Sequence, residues 1–208
     1  GSVSEGSRYP ACVPYSPSSA LLKWNSDRAA ALDSMVAVHG KVVEGKVGRQ
    51  YATGHLNRAL FVVLASEFQG YCRDLHEEAA WVMTDGLEPV GDPRIPILRS
   101  SLVRGRKLDG GNAQPSSIGS DFSSLGMDFW PALEAMYPAK KAKWHTFLTE
   151  LNKARNAIAH RDDTKLAEIK DPLTLGTFKS WRTTLKGFVA GMDKVVEAYL
   201  QNTAGKSW

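Results

Sequence analysis

Cysteine is scarce in this chain. Its two cysteines, Cys12 and Cys72, lie far apart, which excludes a disulfide framework and any Cys-x-x-Cys metal or redox motif. No run of about 18 apolar residues is available to span a bilayer. No basic stretch followed by an apolar one marks a leader, and Gly1-Ser2 reads as an expression scar. These absences predict a cytoplasmic protein with no membrane association. Metal-ligand spacing is also missing. None of the five histidines has Glu or Asp three positions before it, and no two lie three or four apart. No metal and no cofactor is therefore expected. The Gly205-Lys206-Ser207 triplet sits too near the end to form a phosphate loop. There is no Gly-x-Ser-x-Gly elbow, no helix-turn-helix, RNA-recognition or zinc-finger pattern, no internal repeat and no useful run of strand alternation.

What is present is ordinary globular composition: 208 residues, 43% hydrophobic and 23% charged, enough for one domain with a real core. The charge is uneven. Residues 1–137 carry 13 Lys+Arg against 15 Asp+Glu, whereas residues 138–208 carry 13 against 7. The formal net of +4 thus hides a C-terminal third at net +6, a candidate surface for phosphate or nucleic acid.

Hydrophobic spacing organises the chain. Residues 1–17, rich in Ser and Pro, read as a tail. A helical pattern follows from about Ser18 to Val47. The strongest runs from about Thr53 to Thr84, where Leu56, Leu60, Val63, Leu64, Phe68, Tyr71, Leu75, Ala79 and Val82 recur at three- and four-residue steps. Asp85-Gly86 ends it. Residues 85–127 form a Gly/Pro-rich insertion. A short helix is predicted over Ile97–Lys107, with Arg99, Arg104, Arg106 and Lys107 on a basic flank. A loop is predicted over Asp109–Ser124, long enough to suggest a functional or disordered segment. Another short helix fits Asp128–Tyr137, closed by Pro138. Long helices are predicted from about Lys140 to His160 and Leu175 to Gln201. The expected fold is all-α: an up-and-down bundle of four long helices with the insertion and short extra helices. Residues 18–202 form the single domain and 203–208 a short tail.

Two charged residues break the apolar stripes. Glu67 lies between Leu64 and Tyr71, and a carboxylate facing a core must be paired, protonated or wet. Arg155 falls on the face of Leu148 and Leu151, and a guanidinium there needs an anionic partner. Asn156 and His160, four apart, are neighbours on one helix face. Arg155 and His160, five apart, sit about 140° apart around the axis.

The run Arg155-Asn156-Ala157-Ile158-Ala159-His160, closing an amphipathic helix in an all-α chain, resembles the signature of the HEPN superfamily. That signature is an Arg, commonly followed by a polar residue, then a His after four to six intervening residues. The helix around Leu60–Leu75, with Glu67, resembles the early helix of several HEPN families. The resemblance covers roughly residues 18–200 in helix order, and the insertion departs from it. It implies a metal-independent endoribonuclease acting as a homodimer, whose paired motifs form a composite cleft. In that reading His160 exchanges a proton with the RNA 2′-OH, and Arg155 stabilises the charge growing on the phosphorane. Asn156 orients His160 or touches phosphate, Glu67 holds Arg155, and Lys153 and Arg161 guide the RNA backbone. Products would be a 2′,3′-cyclic phosphate and a 5′-hydroxyl. A toxin or phage-defence role, with an antitoxin or regulatory protein as partner, follows by the same likeness. The alternative is a non-catalytic HEPN-like helical module that binds RNA, nucleotide or a partner protein.

Overall fold

Local chemistry starts and stops most of the helices. Ser18 precedes α1 (Ser19–Lys23), and its hydroxyl accepts from the Leu21 N–H. This satisfies one of the donors that a helix N-terminus leaves free. The helix continues through a π-helical stretch (Trp24–Arg28) into α2 (Ala29–Val43). The computed structural model describes residues 15–43, 51–87 and 91–208, so the expected extension from Val43 to Val47 lies outside the described residues. The long helix α3 (Tyr51–Thr84) ends at Gly86, whose φ of 73° suits glycine.

The insertion is more ordered than its composition suggests. Helix α4 (Arg94–Val103) starts and ends earlier than expected, and α5 (Lys107–Gly110) follows it. The loop expected over Asp109–Ser124 is corrected: α6 (Pro115–Ser123) occupies most of it, with Ile118 and Phe122 fully buried. Two apolar residues four apart are enough to seat one face of a short helix. Helix α7 (Phe129–Met136) follows. Pro138 opens α8 (Pro138–Ala159) at its first position, where a missing N–H costs nothing. After α9 (Asp163–Ala167), Thr174 caps α10 (Leu175–Ala204) through the Thr177 N–H. Among the described residues the protein is all-helical, without a strand.

Helix α3 is the centre, packed by α10, α8, α2, α1 and α4. Leu60, Leu64, Phe68, Tyr71, Leu75 and Ala79 are buried along its inner stripe as the spacing predicts, Leu56, Val63 and Val82 of the same stripe are half-buried, and Phe61, outside the predicted set, is buried as well. Phe61 meets Trp181 edge-on at 5.1 Å between ring centroids, and Phe68 meets Phe188 at 5.8 Å. Trp144 on α8 reaches the same Phe188 at 5.3 Å. All the described buried apolar residues except Ala157, from α1 to α10 and including the insertion, form one cluster.

Both ends of the described chain are fastened to α10. Tyr15 donates to Asp193 at 2.7 Å, Ser18 also bonds Asp193, and Ser207 donates to Glu197 at 2.6 Å. Lys206 reaches Asp85 at 2.8 Å. The segments read from sequence as tails are therefore tethered at residues 15–17 and 205–208.

Candidate functional site

The C-terminal end of α8 is built by a chain reversal. His160 leaves the helix with φ −93° and ψ 2°. Arg161 follows with φ 52°, the one positive φ outside glycine among the described residues. The Asp162 N–H returns to the Ala157 carbonyl at 2.9 Å and the Arg161 N–H to Ile158 at 3.2 Å. This pair of bonds is the Schellman closure, in which a left-handed residue lets the chain satisfy the last carbonyls. Asp162 then caps α9 by accepting from the Lys165 N–H at 3.0 Å. The reversal leaves His160 and Arg161 exposed, and among the described residues neither side chain has a polar partner.

One turn back, Arg155 is half-buried and its Nη1 donates to Asn156 Oδ1 at 3.2 Å. The same oxygen accepts from Asn112 Nδ2 at 2.5 Å. Asn152, buried a turn earlier, donates to the Ala113 carbonyl at 3.0 Å. Residues 112–113 of the insertion are thus pinned to α8 beside the motif. Sequence reading missed Asn112, whose only signal was a polar side chain in a segment read as loop.

The structure brings Arg155 to Asn156, but no hydrogen bond joins either to the His160 ring. Two further expectations change. Glu67 does not hold Arg155. Its carboxylate accepts from Arg28 Nη1 at 2.6 Å, while Arg28 Nη2 bonds Asp74 at 2.8 Å and Lys23 reaches Asp74 at 3.1 Å. The π-helical stretch that ends at Arg28 carries this guanidinium over α3, where Gly70 leaves room for it. Burial pulls the Asp74 carboxyl up, but the bonds from Arg28 and Lys23 outweigh it and hold it below the ordinary carboxylate range. Lys153 is not free for a phosphate, since its ammonium lies 3.2 Å from the Glu168 carboxylate.

Elsewhere, His76 is fully buried and donates from Nε2 to the Asp121 carbonyl at 2.9 Å, joining α3 to α6. The Asp121 carboxylate caps the Lys107 and Leu108 N–H groups of α5 at 2.8 and 2.9 Å. Cys72 is buried, and burial pushes its thiol up, which makes it a poor nucleophile. Among the described residues no group of three or more His, Cys, Asp or Glu is placed to hold a metal ion, and no helix is long and apolar enough to cross a membrane.

Comparison with protein-family models, with curated proteins and with solved structures finds no match for this chain.

Proposed function

We propose that the protein is a metal-independent endoribonuclease of HEPN type that works as a homodimer. The observation that carries this reading is the end of α8, where the hydrogen-bonded Arg155–Asn156 pair and the exposed His160 close one helix beside a chain reversal. Arg155 and His160 lie about 140° apart around the helix, so a single copy does not converge them. A second copy facing the first would set the His160 of one across from the Arg155 of the other.

The proposed fold is a four-helix up-and-down bundle of α2, α3, α8 and α10. Contacts between helices support it. Phe61 packs on Phe178 and Trp181 while Phe68 packs on Phe188, so α3 and α10 run alike. Trp144 meets Phe188 and Phe147 meets Trp181, so α8 runs against them. Asp33 reaches Arg182 while Ser18, fifteen residues earlier, reaches Asp193, so α2 also opposes α10.

In the proposed reaction the RNA supplies its own nucleophile, the 2′-OH. The His160 imidazole takes that proton and returns one to the departing 5′-oxygen across the dimer. The Arg155 guanidinium donates to the non-bridging oxygens as charge builds. Asn156 fixes Arg155 through its carbonyl, which Asn112 holds from the other side. Arg161, exposed and without a polar partner, guides the backbone. A cytoplasmic toxin or phage-defence effector, restrained by an antitoxin, is the setting proposed.

The test is RNA cleavage in EDTA by wild type, His160→Ala and Arg155→Ala, with product ends identified by mass. Wild type should yield 2′,3′-cyclic phosphate ends, and each variant should lose about 10²–10⁴-fold. Intact RNA with wild type, or equal cleavage by both variants, sinks the proposal. A second reading, a non-catalytic module binding RNA or a partner, is favoured by the twice-used Asn156 carbonyl and the neutralised Lys153. RNA affinity without turnover would select it.

A further inference from the structure

A groove of about 430 Å³ runs between the π-helical stretch with α2 on one side and the first three turns of α10 on the other. Val36, half-buried, gives it an apolar wall, the core side chains of Trp24 and Leu32 lie behind it, and Asn25 and Thr183 add polar groups. Lys179, Arg182 and Lys186 line it from α10. Their spacing of three and four residues sets them on one helix face.

The charge there does not balance. Among the described residues Asp33 is the only acidic one lining the groove, and Arg182 Nη1 bonds its carboxylate at 2.5 Å. Arg182 Nη2 also donates to the Ala29 carbonyl at 3.2 Å. The guanidinium is thereby committed to the opposite wall. Lys179 and Lys186, one on each side of it along α10, are exposed and have no carboxylate partner among the described residues. Two ammonium groups lining one groove, without a carboxylate partner among the described residues, suit a ligand with about two negative charges on one group. A phosphate monoester carries about −1.5 to −2 at neutral pH, whereas a carboxylate would neutralise only half the pair. The volume falls within the range of about 300–1,000 Å³ typical of small-molecule sites.

The π-helical stretch is an independent pointer. Such stretches are uncommon and recur at functional sites. Here it lines the groove with both Trp24 and Asn25.

We infer that this groove binds a small organic phosphate monoester, its phosphate between Lys179 and Lys186 and its apolar body against Val36. This site is separate from the end of α8 and does not depend on the nuclease reading.

Calorimetric titration of the full chain with phenyl phosphate, benzoate and phenol tests it. Phenyl phosphate should bind at least tenfold more tightly than benzoate, and phenol more weakly still. The Lys179→Gln/Lys186→Gln variant, changed only at exposed positions, should lose at least tenfold in phenyl phosphate affinity. Arg155→Ala should bind it like wild type. Absence of phenyl phosphate binding overturns the inference, as does equal binding of phenyl phosphate and benzoate, or unchanged affinity in the double variant. The phosphate could also be a nucleic-acid terminus, so a 5′-phosphorylated oligoribonucleotide is titrated alongside. Binding of that strand without binding of phenyl phosphate likewise overturns the small-molecule assignment.

Discussion

Arg161 holds a φ of 52° without the freedom glycine would have there. A non-glycine residue in the left-handed region costs roughly 1–2 kcal/mol. Arg161→Gly should therefore raise the unfolding free energy by about 0.5–1 kcal/mol in urea titrations. In the proposed reading it should at the same time weaken RNA binding, because the guanidinium is gone. Stability and affinity moving in opposite directions would mark a side chain kept for what it touches. Gly70 poses the reverse case. Glycine in a helix interior is usually worth replacing, with a gain of up to about 1 kcal/mol for Ala. A Cβ at Gly70 would run into the Arg28 guanidinium and push it off Glu67 and Asp74. Gly70→Ala should thus fail to stabilise wild type, yet regain its helix benefit once Arg28→Ala has cleared the space. Denaturation of the four proteins of that cycle measures the difference. The Arg28–Glu67 pair also shows where sequence reading stopped. The stripe-breaking Glu67 announced a need for a partner. Its partner stands 39 residues away behind a π-helical turn, and no helical-phase argument reaches across such a turn.

Among the elements, α3 was the most legible, because its apolar residues repeat at helical spacing over more than twenty positions. Helices α8 and α10 followed for the same reason, and so did the position of Arg155, Asn156 and His160 at a helix end. Helix α6 was not legible. Its buried set is small, and serines and Gly119 surround it; the packing surface of α3 and α8 decides its state. Its attachment gives an element-scale prediction. His76 bonds a carbonyl through Nε2, so the proton sits on that nitrogen. Nδ1 is buried with no partner. Burial holds this imidazole below its ordinary pKa; the Asp121 carbonyl bond opposes that shift, and the nearby Arg106 reinforces it. A histidine whose pKa is depressed on folding contributes stability that is complete above its unfolded value, near 6.5. That contribution is lost as pH falls from there toward the folded value. Unfolding free energy should decline below about pH 6.5, by no more than about 1.4 kcal/mol per pH unit for one proton. His76→Gln, which can still donate to the carbonyl, should flatten that part of the profile. Hydrogen exchange at low pH should quicken first in residues 107–125, the stretch that His76 and Asp121 hold.

At the scale of the whole molecule, the last helix works as a fastening post. Asp193 and Glu197, one turn apart, receive Tyr15, Ser16 and Ser18 from the beginning of the described chain and Ser207 from its end. Burial raises the Asp193 carboxyl, and the bonds from Ser18 and Tyr15 pull against that rise. Removing residues 206–208 deletes the Lys206–Asp85 and Ser207–Glu197 contacts and the packing of Trp208. The expected loss is about 1–2 kcal/mol, or a few degrees in melting temperature for a chain of this size. Calorimetry of the truncated protein checks it. The π-helical stretch has a consequence of another kind, in how the chain tolerates changes of length. A π turn holds one more residue than an α turn in nearly the same rise. Deleting Ser26, an exposed side chain, would let the turn close to the α form with the helix before it still facing the same way, whereas a deletion in a straight α-helix rotates everything before it by about 100°. Ala20 and Leu21 would stay on the core, and Ser18 would keep its place at Asp193. Ser26→Ala should be nearly silent, and loss of Ser26 should lower the melting temperature far less than loss of the exposed Ala31 from the straight part of α2: at this point the protein can give up a residue that elsewhere in the helix it must keep.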